Sequence, residues 1–349
     1  MEEKKKKALN TLSIAGGLSA LSFAAFVAIY DKMFPRLERP DYLLNIDKID
    51  YKLYKNSLPR EELTFLSKDV LLKGYYYSLK NPKGLVVVCH GMKSGADDYL
   101  PIIEFFYKNK YNVFSFDCTG TYDSQGKSTV GMCQPLIDLD NALTFVKNEK
   151  KFKSLPIYLI GHSWGGYAVG SVVLLHKDIK AVACISPVVD AHKLILEKKE
   201  QYIKKTILPS WSFLDIYQKH LFGEYCKYNI IRGINESNIP FFIAHGINDE
   251  VILFKSQSIF VHQNELTNHN IKYYIGKGFQ SGHDSIWRSI NALAYKNKIE
   301  SEIKLQKIIK DSCLSNQEII KIYNDVDYKL YNEINYELFE QILKMFNEA

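Results

Sequence analysis

Short apolar runs separated by helical stretches are the feature that most limits what this chain can fold into. Leu85 to Cys89, Asn112 to Phe116, Pro156 to Ile160 and Ala181 to Ile185 are each nearly continuous in hydrophobic residues. Runs of that length and continuity are expected for strands covered on both faces. Helical patterns fill the gaps, at Tyr99 to Lys108, Leu136 to Asn148 and Tyr167 to His176. Strands alternating with helices predict a parallel sheet with right-handed crossovers. Leu71 to Leu79 reads as a further strand before a turn at 81–84, and Phe241 to Ala244 and Lys272 to Ile275 complete the series.

Gly161, His162, Ser163, Trp164, Gly165 and Gly166 sit between one of these strands and a helix. A serine there, with glycine two residues before and two after, fits a sharp turn that lifts the hydroxyl above the sheet edge. Ser163 is therefore the candidate nucleophile. A serine needs a base, and the base needs an orienting acid. His283, after the last strand in Ser281-Gly282-His283, is the candidate base. Asp249, after the strand Phe241 to Ala244, is the candidate acid, with Asp190 as its rival. Asp284, adjacent to His283 in sequence, is expected to point elsewhere. Backbone N–H groups of Met92 and Trp164 are the candidate oxyanion donors, and His90 is expected to be structural.

Taken together, VVVCHGM (86–92), GHSWGG (161–166), HGINDEV (245–251) and SGHD (281–284) resemble the α/β-hydrolase superfamily. The likeness is nearest to bacterial esterase, monoacylglycerol-lipase-like and serine-aminopeptidase-like members, over residues 65–300. It implies an α/β fold, a mostly parallel eight-stranded sheet with helices on both faces, and a Ser-His-Asp triad that works without a cofactor or metal. DCTGTYDSQG (117–126) resembles a loop of that group but has Thr119 where arginine is usual and Tyr122 where glycine is usual. The expected reaction is hydrolysis of carboxylic esters, lipid-like or hydrophobic ones among them, through an acyl-enzyme. The alternatives are a serine peptidase or aminopeptidase of the same fold, and a non-catalytic membrane-anchored binding protein.

Flanking segments suggest a setting. No charged residue occurs from Ala8 to Tyr30, long enough for a helix to cross a hydrocarbon core. Residues 1–30 are thus expected to be a membrane anchor or signal segment. Lys4 to Lys7 before the span favour an extracytoplasmic catalytic domain, whereas six cysteines in no pairing pattern suit a reducing compartment. Residues 31–62, with Pro35, Pro40 and Pro59, read as a stalk. The hydrolase domain is expected over 63–300, with a helical lid insertion at 190–238 and a helical C-terminal extension over 301–349. The net charge of +6 is spread among acids, which argues against a nucleic-acid partner. Partners are expected to be a small ester or lipid-like substrate and the membrane.

Overall fold

The computed structural model describes residues 20–152, 154–202, 213–310 and 313–349. Its centre is an eight-stranded sheet, β1 (Glu61–Ser67), β2 (Val70–Tyr77), β3 (Leu85–Cys89), β4 (Asn112–Phe116), β5 (Ile157–His162), β6 (Ile179–Ile185), β7 (Phe241–Gly246) and β8 (Ile271–Gly276). The spatial order is β1-β2-β4-β3-β5-β6-β7-β8. β1 and β2 pair antiparallel, β2 joins β4 antiparallel, and every other pair is parallel. This is the mostly parallel sheet expected. Strand β1 is the addition, because its exposed and buried positions alternate at an edge and leave no continuous apolar run.

Residues on successive strand positions face opposite sides, so the sheet divides two cores. Val87 and Cys89 of β3 and Leu159 of β5 enter the one covered by α2 (Gln134–Asn148) and α3 (Trp164–Val172). Val86, Val88, Tyr158 and Ile160 enter the other, under α1 (Leu100–Lys108). The second face is closed by the helix Tyr336–Glu348, which buries Leu338, Phe339, Ile342, Met345 and Phe346. That spacing is one stripe of a helix. The expected helical C-terminal extension is present, and its last helix packs into this second core.

The N-terminal expectations need correction. Residues 20–33 are helical. Phe26 and Tyr30 within them are 1% and 0% exposed and meet Tyr217 edge-on at 5.7 and 5.1 Å. An aromatic face built to pack on Tyr217 belongs to the domain. Among the described residues no helix is long and apolar enough to cross a membrane; residues 8–19 of the expected span lie outside them. The expected stalk is also packed down. Ile46, Ile49, Tyr54 and Leu58 are buried, and Arg36 donates to the carbonyls of Tyr122, Ser124 and Gly126 at 2.8 to 2.9 Å. Prolines at 35, 40 and 59 keep this stretch out of regular structure without detaching it.

The 190–238 segment holds the helices Ala191–Tyr202, Leu214–Phe222 and Ile230–Asn235. Leu194 and Ile195 reach the cavity described below, and Leu214, Tyr217 and Phe222 pack on the first core. Residues 203–212 of the expected lid insertion lie outside the described residues.

Candidate active site

The strand-to-helix turn after β5 holds Ser163 at φ 55°, ψ −115°. A non-glycine residue there is strained, and surrounding contacts must hold it. Ser163 N–H donates to Ile185 O at 2.8 Å, and its carbonyl accepts from Tyr167 N at 3.1 Å. The flanking glycines allow the close approach: a Cβ on Gly161 would lie 2.3 Å from Gly165 O, and one on Gly165 would lie 2.1 Å from Cys89 O. Trp164 opens α3, so its N–H belongs to the first turn, where helical donors have no partner within the helix.

His283 and Asp249 come from the loops after β8 and β7. Their adjacent parallel strands put these loops side by side. They are laced together by Asn248 N–H donating to Ser281 O at 2.9 Å and Asn248 Nδ2 to Ser281 Oγ at 3.1 Å. His283 Nδ1 lies 2.8 Å from Asp249 Oδ2. The other carboxylate oxygen, Oδ1, accepts from Val251 N and Ile252 N at 2.9 and 2.7 Å. Burial pushes the Asp249 pKa up, but the hydrogen bond and charge of His283 outweigh it and hold the carboxyl below its usual range. Asp249 is thus an anion aimed at Nδ1, which leaves Nε2 as the working nitrogen. Ser163, His283 and Asp249 are 7%, 5% and 3% exposed.

Neither rival acid reaches His283. Asp190 caps the following helix, its Oδ1 accepting from Lys193 N at 2.9 Å. The Asp284 side chain is largely exposed and approaches His162 Nε2 at 3.8 Å.

Ser163 and His283 line one cavity of about 890 Å³, with Met92 and Trp164 at the same wall. Met92 lies in the turn after β3. His90 fixes that turn, with Nδ1 2.8 Å from Gly91 O and Nε2 accepting from Cys118 N at 2.9 Å. Both contacts require the neutral ring, and burial pushes the His90 pKa down to about 4. His90 is structural, as expected.

Two participants carried no separate signal in the sequence. Gly91 N–H donates to Tyr99 Oη at 2.9 Å, and Tyr99 Oη lies 2.8 Å from His162 Nδ1. The tyrosine proton therefore goes to Nδ1, and His162 Nε2 donates to the carbonyl of His283, 3.2 Å away. This chain ties the turn after β3 to the loop after β8. Burial, with His283 nearby, pushes the His162 pKa down to about 4. His162 was visible in the sequence only as a residue inside the serine motif. Tyr99 is one of 24 tyrosines, and nothing local marks it.

The loop whose sequence departs at Thr119 and Tyr122 is held from the N-terminal segment. Besides Arg36, Arg39 meets Asp123 at 2.9 and 2.6 Å and Asp97 at 2.9 Å. Lys48 Nζ donates to Lys93 O at 2.7 Å and to Asp98 at 2.9 Å, which clamps the turn after β3. Beneath them Asp117 accepts from Ala96 N and Tyr75 Oη, and burial raises its pKa to about 7.

Among the described residues His162, His283 and Asp284 are the one group placed to hold a metal ion. Both nitrogens of His162 and Nδ1 of His283 already meet protein partners.

Comparison with known proteins fits this geometry. Residues 80–229 match a family described as serine aminopeptidase, S33. An esterase from Pyrococcus furiosus superposes with a TM-score of 0.52 at 22% identity, covering 73% of this chain and 92% of that one. The chain has the α/β-hydrolase fold. Another neighbour, Est1E from Butyrivibrio proteoclasticus with ferulic acid bound, has a TM-score of 0.50 at 16% identity, covering 71% of this chain and 99% of that one. No curated protein matches by sequence. The neighbours share the fold, and the match over residues 80–229 supports a serine hydrolase.

Proposed function

We infer that this protein hydrolyses carboxylic esters through an acyl-enzyme, with Ser163 as nucleophile, His283 as general base and Asp249 as the acid that holds the imidazole. The observation that carries this reading is the 2.8 Å contact of His283 Nδ1 with Asp249, in a cavity that also holds a strained, buried serine. Ser163 Oγ attacks the acyl carbonyl while His283 Nε2 takes its proton. The oxygen that gains charge is met by the N–H groups of Met92 and Trp164. His283 returns the proton to the leaving alcohol, and water then repeats the cycle on the acyl-enzyme.

The apolar side of the cavity, with Met33, Phe34, Met132, Val188, Leu194 and Ile195, supports a substrate with a hydrocarbon part. The family match favours a second reading, an aminopeptidase. A fluorophosphonate probe should label the intact protein and not Ser163→Ala. Equal labelling of both, or none of either, would sink the hydrolase reading. Turnover of aminoacyl anilides without turnover of p-nitrophenyl esters would replace the ester reading by the peptidase one.

A further inference from the structure

The cavity extends from the triad to a floor formed by Trp287. The Trp287 ring stacks on Tyr99, centroids 5.9 Å apart and planes at 14°, and lies 6.1 Å from the His162 ring, which is 4.7 Å from the His283 ring. Arg288 rests on the other part of this floor, its Cζ 3.7 Å from the centroid of Trp287, and lines the cavity. Stacking and one hydrogen bond, from Nη1 to Asn332 O at 3.0 Å, hold the guanidinium.

The other cations of the cavity are accounted for. Lys48 lies 2.9 Å from Asp98, Lys296 lies 2.6 Å from Asp47, and Lys93 is exposed to solvent. Arg288 differs: among the described residues no carboxylate oxygen lies within 4.0 Å of it. Burial lowers its pKa from the usual arginine range, with Asp284 and Asp47 acting from farther off to support the charge. A partly buried cation without a counter-ion is costly unless a partner completes it.

We propose that Arg288 is a specificity-determining residue that binds a free carboxylate carried by the substrate in addition to its scissile ester. The proposal rests on the ester-hydrolase reading above. A guanidinium offers paired, coplanar donors that match a two-oxygen planar group. A carboxylate fits better than a phosphate because Asp47 and Asp284 line the same cavity as Arg288. Their field tolerates one added negative charge more readily than two. The substrate is then a half-ester of a dicarboxylic acid or an ester of a hydroxy acid, with its hydrocarbon part against Leu194 and Ile195 and its carboxylate at Arg288.

The test compares matched esters whose acyl half, or whose alcohol half, ends in a carboxylate, a neutral methyl ester or a phosphate. The wild-type protein should prefer the carboxylate over the neutral partner by at least 10-fold in kcat/KM in one of the two series, carried by KM. In Arg288→Met that ratio should fall to near one, and in Arg288→Lys it should fall part-way. The ratio is internal to each protein, so a general loss of activity cancels. Absence of preference in wild type overturns the proposal whether or not the variants fold. A preference that survives Arg288→Met, or a greater preference for phosphate, overturns it as well. If instead no ester in either series is turned over and the fluorophosphonate fails to label Ser163, the hydrolase reading itself has failed.

Discussion

Arg36 Nη2 donates to the carbonyl of Tyr122 at 2.8 Å, and so joins residues 86 apart in the chain. The same guanidinium serves Ser124 O and Gly126 O, so one N-terminal side chain satisfies three carbonyls of the loop after β4. Arg36→Ala should therefore lower stability by about 2–3 kcal/mol, since hydrogen bonds to charged groups are worth more than neutral ones but Arg36 is partly exposed. Arg36→Lys should recover less than half, because a single ammonium cannot reproduce the fork. Urea denaturation measures both. A loss under 0.5 kcal/mol on the order-of-magnitude scale of surface substitutions would mean that the segment is not holding the loop.

Phe26 tests whether residues 20–33 belong to the folded domain. It is 1% exposed and meets Tyr217 edge-on at 5.7 Å. Truncating a buried phenylalanine leaves a cavity and costs about 3–5 kcal/mol. Phe26→Ala should reach that range in detergent-free buffer, and Ala25→Ser, on the exposed side of the same helix, should change stability by less than about 0.5 kcal/mol. Equal, small effects at the two positions would show that the helix does not pack as described.

The central strands were legible because burial on both faces leaves continuous apolar runs: β3 and β4 have the bounds that the sequence suggested. Ser163 and Asp249 were singled out because each follows such a strand, β5 and β7, whereas His283 follows the largely exposed β8 and was singled out by its order in the chain. Phe26 and Tyr30 were misread because an apolar stretch with no charge satisfies a bilayer and a protein groove equally well at the level of composition. What separates them is the partner, Tyr217, far away in sequence. Arg36, Arg39 and Lys48 lie in the stretch read as a stalk, whereas they act on Tyr122, Asp123 and Lys93. Contacts of this kind leave no periodicity. The α3 start at Trp164, three residues before the expected Tyr167, was obscured by glycines that weaken helix propensity but are needed for packing at the serine turn.

Acid should destabilise the fold through its neutral histidines. His90 has a folded pKa of about 4 against 6.5 for the free side chain. Between these values the unfolded chain binds a proton that the folded one does not, so stability falls as pH falls, by about 1.4 kcal/mol per pH unit for each such group. His162 and His245, also lowered, act in the same direction, and Asp117 and Asp138, both raised by burial, act in the opposite one. His90→Asn keeps a donor for Gly91 O and removes the titration. Its stability should fall less steeply than wild type between pH 6.5 and 4, by about one proton's worth of slope. Parallel curves for the two proteins would assign the acid sensitivity elsewhere.

The choice between Asp249 and Asp190 can be made by one pair of variants, because the two carboxylates perform separable tasks. Asp249 accepts from His283 Nδ1 and thereby fixes which nitrogen faces the substrate. Asp249→Asn keeps the shape of the side chain but presents an amide that can favour the wrong tautomer, so kcat should fall by about 10³–10⁴-fold. Asp190 accepts from Lys193 N at the start of a helix and does not line the cavity. Asp190→Ala should cost about 1 kcal/mol of stability, as loss of a cap does, and change kcat by less than about 3-fold, since that equals under 0.7 kcal/mol of barrier. Steady-state kinetics on a p-nitrophenyl ester, with thermal melting of both variants, reads out the two effects separately. A larger loss of kcat in Asp190→Ala than in Asp249→Asn would move the acid of the triad to position 190. It would then require the loop after β6 to rearrange towards His283 on substrate binding.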